Sequence, residues 1–97
     1  MKRSSLNASA IRRGENIWRD MTDEEIIEAL AGREITWVNT MSEKRESARL
    51  PAHDAKLTRV TRGVRSDGRK IRCIEFVSAG AEGGFLAVRL RAIRKVE

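Results

Sequence analysis

The strongest strand pattern in this chain lies in residues 57–96, LTRVTRGVRSDGRKIRCIEFVSAGAEGGFLAVRLRAIRKV. Turn signals, Ser-Asp-Gly and a glycine-rich run, divide this stretch into segments with the residue pattern of β-strands. In the last segment apolar residues alternate with arginines, so Leu86, Val88 and Leu90 are predicted to lie on one face. Such alternation indicates a sheet with one face in a core and the other in water. Three strands are predicted here, at residues 57–64, 69–79 and 84–93.

The positive charge of the chain is concentrated in this strand region. The 97 residues include 20 Lys and Arg and 14 Asp and Glu, and 35% are charged, against about 25% in a typical domain. Residues 56–97 hold 11 basic and 4 acidic side chains, a net charge of +7, whereas residues 1–55 have a net charge of −1. The length allows one small domain, and the basic strands predict that the partner is a nucleic acid or an acidic protein surface.

Cysteine content and hydropathy predict the compartment. Cys73 is the only cysteine, so no internal disulfide is expected. No apolar run approaches the roughly 18 residues of a membrane span, and the N-terminus lacks the apolar core of a signal peptide. We therefore expect a soluble cytoplasmic protein without a membrane partner, while the oligomeric state stays open.

The N-terminal part of the chain contains the clearest helix signal. Residues 1–20 are rich in Ser, Asn and Arg and are predicted to form a flexible arm, with a single folded domain over residues 21–97. Trp18 is the exception in the arm, because it either packs back onto the domain or anchors a partner. Thr22 and Glu25 have the spacing of a capping box, which predicts a helix of about ten residues.

Two further strands precede the basic region. They are predicted at residues 34–40 and 45–50, and Pro51 ends the second because proline cannot donate to a ladder. After Leu90 the apolar spacing changes from two to three, which is typical of a tight helical turn followed by a short closing strand. The predicted fold is α+β, a short N-terminal helix followed by a five-stranded antiparallel SH3-like or Sm-like small barrel.

Two stretches resemble WYL-type domains. Residues 36–39, TWVN, followed by a Ser-Glu-Lys turn and RESAR at 45–49, are similar to their opening hairpin, and GFLAVRLRAI at 84–93 resembles their closing strand. These domains are Sm-like or SH3-like barrels of bacterial regulators, and short proteins of actinobacterial phages look similar. The resemblance therefore implies a barrel over residues 33–96 that binds a ligand or nucleic acid. The Trp-Tyr-Leu tripeptide of the family falls near residues 73–76, where this chain has no tyrosine, so that ligand-binding role is not carried over.

Basic side chains of the strands are the main candidate binding residues. Adjacent strands of a meander pair, so Arg89 and Arg91 are predicted to align with Lys70 and Arg72 across the ladder. Facing like charges destabilise a sheet, and a bound polyanion would relieve the repulsion. The alternative is a solvated face balanced by Glu75 and Glu82. The candidate nucleic-acid-binding residues are Arg59, Arg62, Arg65, Arg69, Lys70, Arg72, Arg89, Arg91, Arg94 and Lys95.

Ile74 and Phe76 define a second candidate surface. Both share a strand face with basic residues, so if that face is exposed they form an apolar patch rimmed by arginine, to which Trp18 would add an anchor. The chain would then be a protein-interaction module, for example a phage product that modulates a host protein. If both faces of the barrel are covered, the same side chains form a second core.

Catalysis is not expected from this sequence. His53, the only histidine, is next to Asp54 in a predicted loop, which is typical of a solvated turn. Cys73 is predicted to be a small buried side chain rather than a nucleophile. Metal-ligand spacing and a phosphate-binding glycine loop are both missing. The sequence therefore predicts a non-enzymatic binding protein with no catalytic residues, cofactor or metal.

Overall fold

The computed structural model describes residues 6–39, 41–52, 57–78 and 85–97. These residues form two short α-helices and six β-strands, and the strands make two antiparallel sheets of three. The fold is therefore a small α+β fold. Within the described residues, neither helix is long and apolar enough to cross a membrane.

Both helices begin at a side-chain cap. In α1 (Ala8–Arg12) the Asn7 side chain accepts a hydrogen bond from the Ala10 amide at 3.0 Å. In α2 (Asp23–Leu30) the Thr22 hydroxyl accepts from the Glu25 amide at 3.1 Å, and the Glu25 carboxylate accepts from the Thr22 amide at 2.9 Å. The predicted capping box is thus confirmed, and it satisfies backbone donors that the first turn leaves unpaired.

The first sheet contains β1 (Glu34–Val38), β2 (Arg45–Arg49) and β6 (Ile93–Val96) in the order β2-β1-β6. The central strand is rich in β-branched and aromatic residues, which pack well on a pleated surface. The chain therefore brings its last strand back to pair with its first.

The second sheet contains β3 (Thr58–Val64), β4 (Lys70–Phe76) and β5 (Leu86–Arg89) in the order β3-β4-β5. After β5 the chain makes a 3-10 turn at Leu90–Ala92 and enters β6 of the other sheet. This is the tight turn and closing strand that the change of apolar spacing after Leu90 indicates, and the closing strand is the sixth.

One hydrophobic core joins both helices and both sheets. Trp18 from the N-terminal segment lies in it with side chains from α2, β1, β4 and the turn after β5. The largest fully buried side chains are Trp18, Phe76, Ile26, Leu30, Ile35, Leu50, Ile74, Leu90, Ile93 and Val88.

The N-terminal segment differs from the predicted flexible arm. Ile11 in α1 and Trp18 are 2% and 1% exposed, so the segment from Leu6 onward packs on the domain. Its apolar residues are too widely spaced to show a helical stripe, but a few large side chains are enough to bury it against the sheets. Residues 1–5 of the predicted arm lie outside the described residues.

The predicted apolar surface patch is also corrected. Ile74 and Phe76 are both 0% exposed and belong to the core, and Trp18 packs inward instead of standing ready for a partner. At this end of β4 the face that carries Ile74 and Phe76 is therefore covered, while Cys73 and Glu75 on the opposite face are only half-buried. The predicted loops containing His53 and Asp54, and Gly80 to Gly84, lie outside the described residues.

Candidate anion-binding cleft

A cleft of about 750 Å³ lies at the edge of the second sheet where β5 ends and β4 continues without a partner on that side. The ladder between β4 and β5 runs from Phe76 to Cys73 and stops at Arg89, where the chain turns away into Leu90–Ala92. The first half of β4, the end of β3, this turn and the N-terminal segment around Trp18 line the space. The cleft thus depends on elements from both ends of the chain.

Basic side chains dominate the lining of the cleft. No Asp or Glu is found among the described residues that line it. Clustered charge of one sign in a concave surface focuses the electrostatic potential and raises the local concentration of anions. The basic residues that line it are Arg19, Arg62, Arg65, Arg69, Lys70, Arg72, Arg89, Arg91 and Arg94.

The structure brings eight of the ten predicted basic residues together in this cleft and places two outside it. Arg59 donates to Glu75 at 2.6 Å and its guanidinium lies 4.5 Å from the centre of the Phe85 ring. Lys95 forms an ion pair with Glu97. Both charges are therefore partly balanced by a neighbour on the surface.

Arg19 lines the cleft but was not among the predicted residues. It was missed because it falls in the segment that was expected to be a flexible arm. The adjacent Trp18 was the available signal, since a large aromatic side chain just before a helix often packs on the domain. Its burial places Arg19 beside the basic strands.

The predicted pairing of Arg89 and Arg91 with Lys70 and Arg72 is wrong. Arg89 pairs with Cys73, not with residues 70–72, and Arg91 lies in the 3-10 turn beyond the ladder. Arg72 instead faces Arg62 across the β3–β4 ladder. The connection at residues 65–69 sets the register of β3 against β4, and β5 leaves the sheet after Arg89. Neither feature is visible in a residue pattern of period two.

Arg62 and Arg72 converge on one carboxylate at the start of α2. Arg62 makes two hydrogen bonds to Asp23, at 2.9 and 2.7 Å, and Arg72 makes one at 2.6 Å. Arg72 also donates to the backbone carbonyls of Trp18 and Met21, each at 2.9 Å. These two arginines therefore tie the N-terminal segment and α2 to the second sheet.

The same hydrogen bonds shift the pKa values of Asp23 and Arg62. Hydrogen bonds from Arg62, and next from Arg72, lower the pKa of Asp23 to about 2. The pKa of Arg62 is raised in turn, first by its hydrogen bonds to Asp23. Opposite charges at hydrogen-bond distance favour the ionised form of both groups, so the pair is charged at neutral pH.

The other basic residues of the cleft are paired weakly or not at all. Arg65 and Arg69 approach Asp67 at 3.8 and 3.9 Å, too far for a close ion pair. In the part of the chain that the structure describes, five cleft residues form no salt bridge with an acidic side chain. They are Arg19, Lys70, Arg89, Arg91 and Arg94.

Cys73 lies beside Arg89 in the ladder but has the properties of a packing residue. It is half-buried, and burial raises the pKa of its thiol, which disfavours the nucleophilic thiolate. Within residues 6–39, 41–52, 57–78 and 85–97, no group of three His, Cys, Asp or Glu side chains is placed to hold a metal ion.

The cleft also has an apolar part. Val64, which is 70% exposed, and the half-buried Ile71 both line it. Trp18 lines it too, but at 1% exposed it offers no ring face to a ligand.

No protein-family model, curated protein or solved structure matches this chain.

Proposed function

We propose that this chain is a non-enzymatic nucleic-acid-binding protein whose basic cleft contacts the phosphate backbone. The observation that carries the proposal is the lining of the cleft, with nine basic side chains and no acidic one among its described residues. Lys and Arg side chains that neutralise phosphates release condensed counterions, which favours binding. Arginine also forms bidentate hydrogen bonds with phosphate oxygens.

The basic residues of the cleft have two different roles, a structural one and a ligand-binding one. Arg62 and Arg72 are held by Asp23 and contribute to the shape of the cleft. Arg89 and Arg91 have no acidic partner among the described residues and contact phosphates directly. Charges that stay unpaired in the free protein give up no ion pair when they bind an anion.

Backbone contacts predict binding that depends on salt and little on sequence. Base stacking needs an exposed aromatic ring, and the one aromatic residue among the described lining residues, Trp18, is buried. Phosphate contacts alone carry no sequence information. We therefore place the protein among accessory or regulatory factors that bind many sequences.

The proposal includes the finer fold assignment. Two three-stranded sheets share one core, and β5 continues through a 3-10 turn into β6 of the other sheet. This arrangement supports a small SH3-like or Sm-like barrel, in keeping with the resemblance to WYL-type domains, whose members bind ligands or nucleic acid.

The alternative, a protein-interaction module, required an exposed apolar patch formed by Ile74, Phe76 and Trp18. These three side chains are buried, so they form no such patch.

The proposal is tested by binding to labelled duplex DNA, single-stranded DNA and RNA of random sequence, in a salt series from about 50 to 200 mM. We expect affinity that falls steeply with salt, and the comparison of the three probes identifies the polymer. Binding to none of them at the low-salt end would contradict the proposal and point to an acidic protein partner.

A matched pair of variants locates the binding site. Arg89→Glu combined with Arg91→Glu should weaken binding at least about 30-fold, because two phosphate contacts become repulsive. The control is Lys44→Glu combined with Arg45→Glu, which makes the same change in net charge at exposed positions outside the cleft. Equal loss in both variants would show that net charge matters and the cleft does not.

A further inference from the structure

Arg94 differs from the other arginines of the cleft in how its position is set. The ladder between β6 and β1 shifts register at this point, so that Arg94 is the extra residue between Ile93 and Lys95. An extra residue of this kind re-aims its side chain relative to the regular strand. Here the re-aimed side chain lines the cleft.

Gly14 provides the space that the Arg94 guanidinium occupies. A Cβ atom at residue 14 would lie 2.7 Å from Arg94 Cζ, 2.7 Å from Nη1 and 2.9 Å from Nη2. These distances are shorter than van der Waals contact, so the guanidinium fills the place of a side chain at this position. Gly14 has φ +74°, in the left-handed region that glycine adopts without strain.

Backbone carbonyls also contact the guanidinium. Arg94 Nη1 donates to the carbonyl oxygen of Arg91 and, at 3.4 Å, to that of Ile93. No acidic side chain pairs with Arg94 in the part of the chain that the structure describes. Backbone carbonyls therefore hold the guanidinium, and no described carboxylate neutralises its charge.

We propose that Arg94 is the preorganised phosphate-contacting residue of the cleft and that Gly14 is the positioning residue that holds it. The inference rests on the proposed function and adds a role for the N-terminal segment. An arginine fixed before binding loses little side-chain freedom when it meets a phosphate. Gly14 acts through Arg94 and does not itself contact the ligand.

The experiment compares Gly14→Ala, Arg94→Ala and the double variant in the full chain, with the nucleic acid probe that binds the wild type best. A methyl group at residue 14 displaces the guanidinium, so both single variants should weaken binding roughly three- to tenfold at about 100 mM salt. The double variant should bind no more weakly than Arg94→Ala. Gly32→Ala is the control, because Gly32 also has positive φ, at +71°, and lies outside the cleft. A Cβ atom at residue 32 would lie 3.9 Å from Ala52 Cα, at ordinary van der Waals distance.

Two results would overturn the inference. One is a folded Gly14→Ala variant that binds like the wild type. The other is additive loss in the double variant, since Gly14 would then act by a route other than Arg94. If Gly14→Ala unfolds, Gly14→Asn replaces it, because asparagine tolerates positive φ and its side chain still fills the space.

A measurement without nucleic acid separates this inference from the proposed function. The Arg94 Nε–Hε group should be rigid on the nanosecond timescale in ¹⁵N relaxation of the wild type and mobile in the Gly14 variant. If the wild type binds no probe but shows this difference, the proposed function fails and the positioning role of Gly14 survives. A mobile Arg94 side chain in the wild type contradicts the positioning role whatever the protein binds.

Discussion

Arg72 and Arg89 line one cleft from adjacent strands, but their guanidinium groups have different partners. Arg72 is 21% exposed and donates to Asp23 and to two backbone carbonyls in the N-terminal segment. Arg89 is exposed and forms no salt bridge with a described acidic residue. A half-buried arginine whose two terminal nitrogens donate to a carboxylate and to backbone carbonyls ties segments of the fold together, whereas an exposed one without partners is available to a ligand.

The largest expected effect is a difference in the free energy of unfolding between Arg72→Ala and Arg89→Ala. Arg72→Ala removes one of the two arginines that donate to Asp23 and the side-chain donor to the Trp18 and Met21 carbonyls, and should lower the free energy of unfolding by about 1–3 kcal/mol. Arg89→Ala should change it by no more than about 0.5 kcal/mol, because nothing in the described structure depends on that side chain. Urea denaturation of both variants measures the difference, and equal destabilisation would erase the distinction.

A second prediction concerns the carboxylate that holds the structural arginines. The pKa of Asp23 is lowered from 3.8 to about 2 in the folded protein, so its contribution to stability is complete above pH 4 and is lost as the pH falls toward 2. Wild type should therefore be more stable than Asp23→Asn above pH 4, by on the order of 1 kcal/mol after allowing for the partial exposure of the pair.

This advantage should disappear between pH 4 and pH 2 in urea denaturation carried out across that range. Glu25 and Glu97 also have a lowered pKa, but they are present in both proteins and cancel in the comparison. A difference that stays constant down to pH 2 would mean that the charge of Asp23 is not what Arg62 and Arg72 require.

The smallest expected effect is a difference between Lys70 and Lys95 in the salt dependence of nucleic-acid affinity. Lys70 lines the cleft, whereas Lys95 pairs with Glu97 outside it. Lys70→Ala should reduce the slope of log affinity against log salt by about 1, while Lys95→Ala should leave it unchanged. Both variants lose one positive charge, so matching slopes in a salt titration would show that the ligand senses overall charge only.

Local features of this fold were predictable from the sequence. The Thr22–Glu25 capping box depends on side chains three residues apart, and the change of apolar spacing after Leu90 depends on its immediate neighbours. Most basic residues of the cleft were also predicted, because they are concentrated in one stretch of 42 residues with a net charge of +7. Short-range interactions and local composition carry this information.

The difference between the arginines that bind Asp23 and those that are available to a ligand could not be predicted in the same way. Asp23 is 39 residues from Arg62 and 49 from Arg72, and nothing in the residue pattern pairs them. The role of Ile74 and Phe76 was equally open, because alternation places them on one strand face without showing whether another element covers it. The burial of Trp18 and α2 against the sheets decides both questions.

An α+β chain with a capped helix, alternating strands and a strongly basic C-terminal half follows from the amino-acid sequence alone. Helix caps, strand alternation and charge are properties of neighbouring residues, so they are present before the chain folds. The arginines that bind Asp23, the contact between Arg94 and Gly14, and the position of Arg19 in the cleft become apparent in the folded protein. These outcomes depend on contacts between distant segments, which exist only once the hydrophobic core has brought the two ends of the chain together.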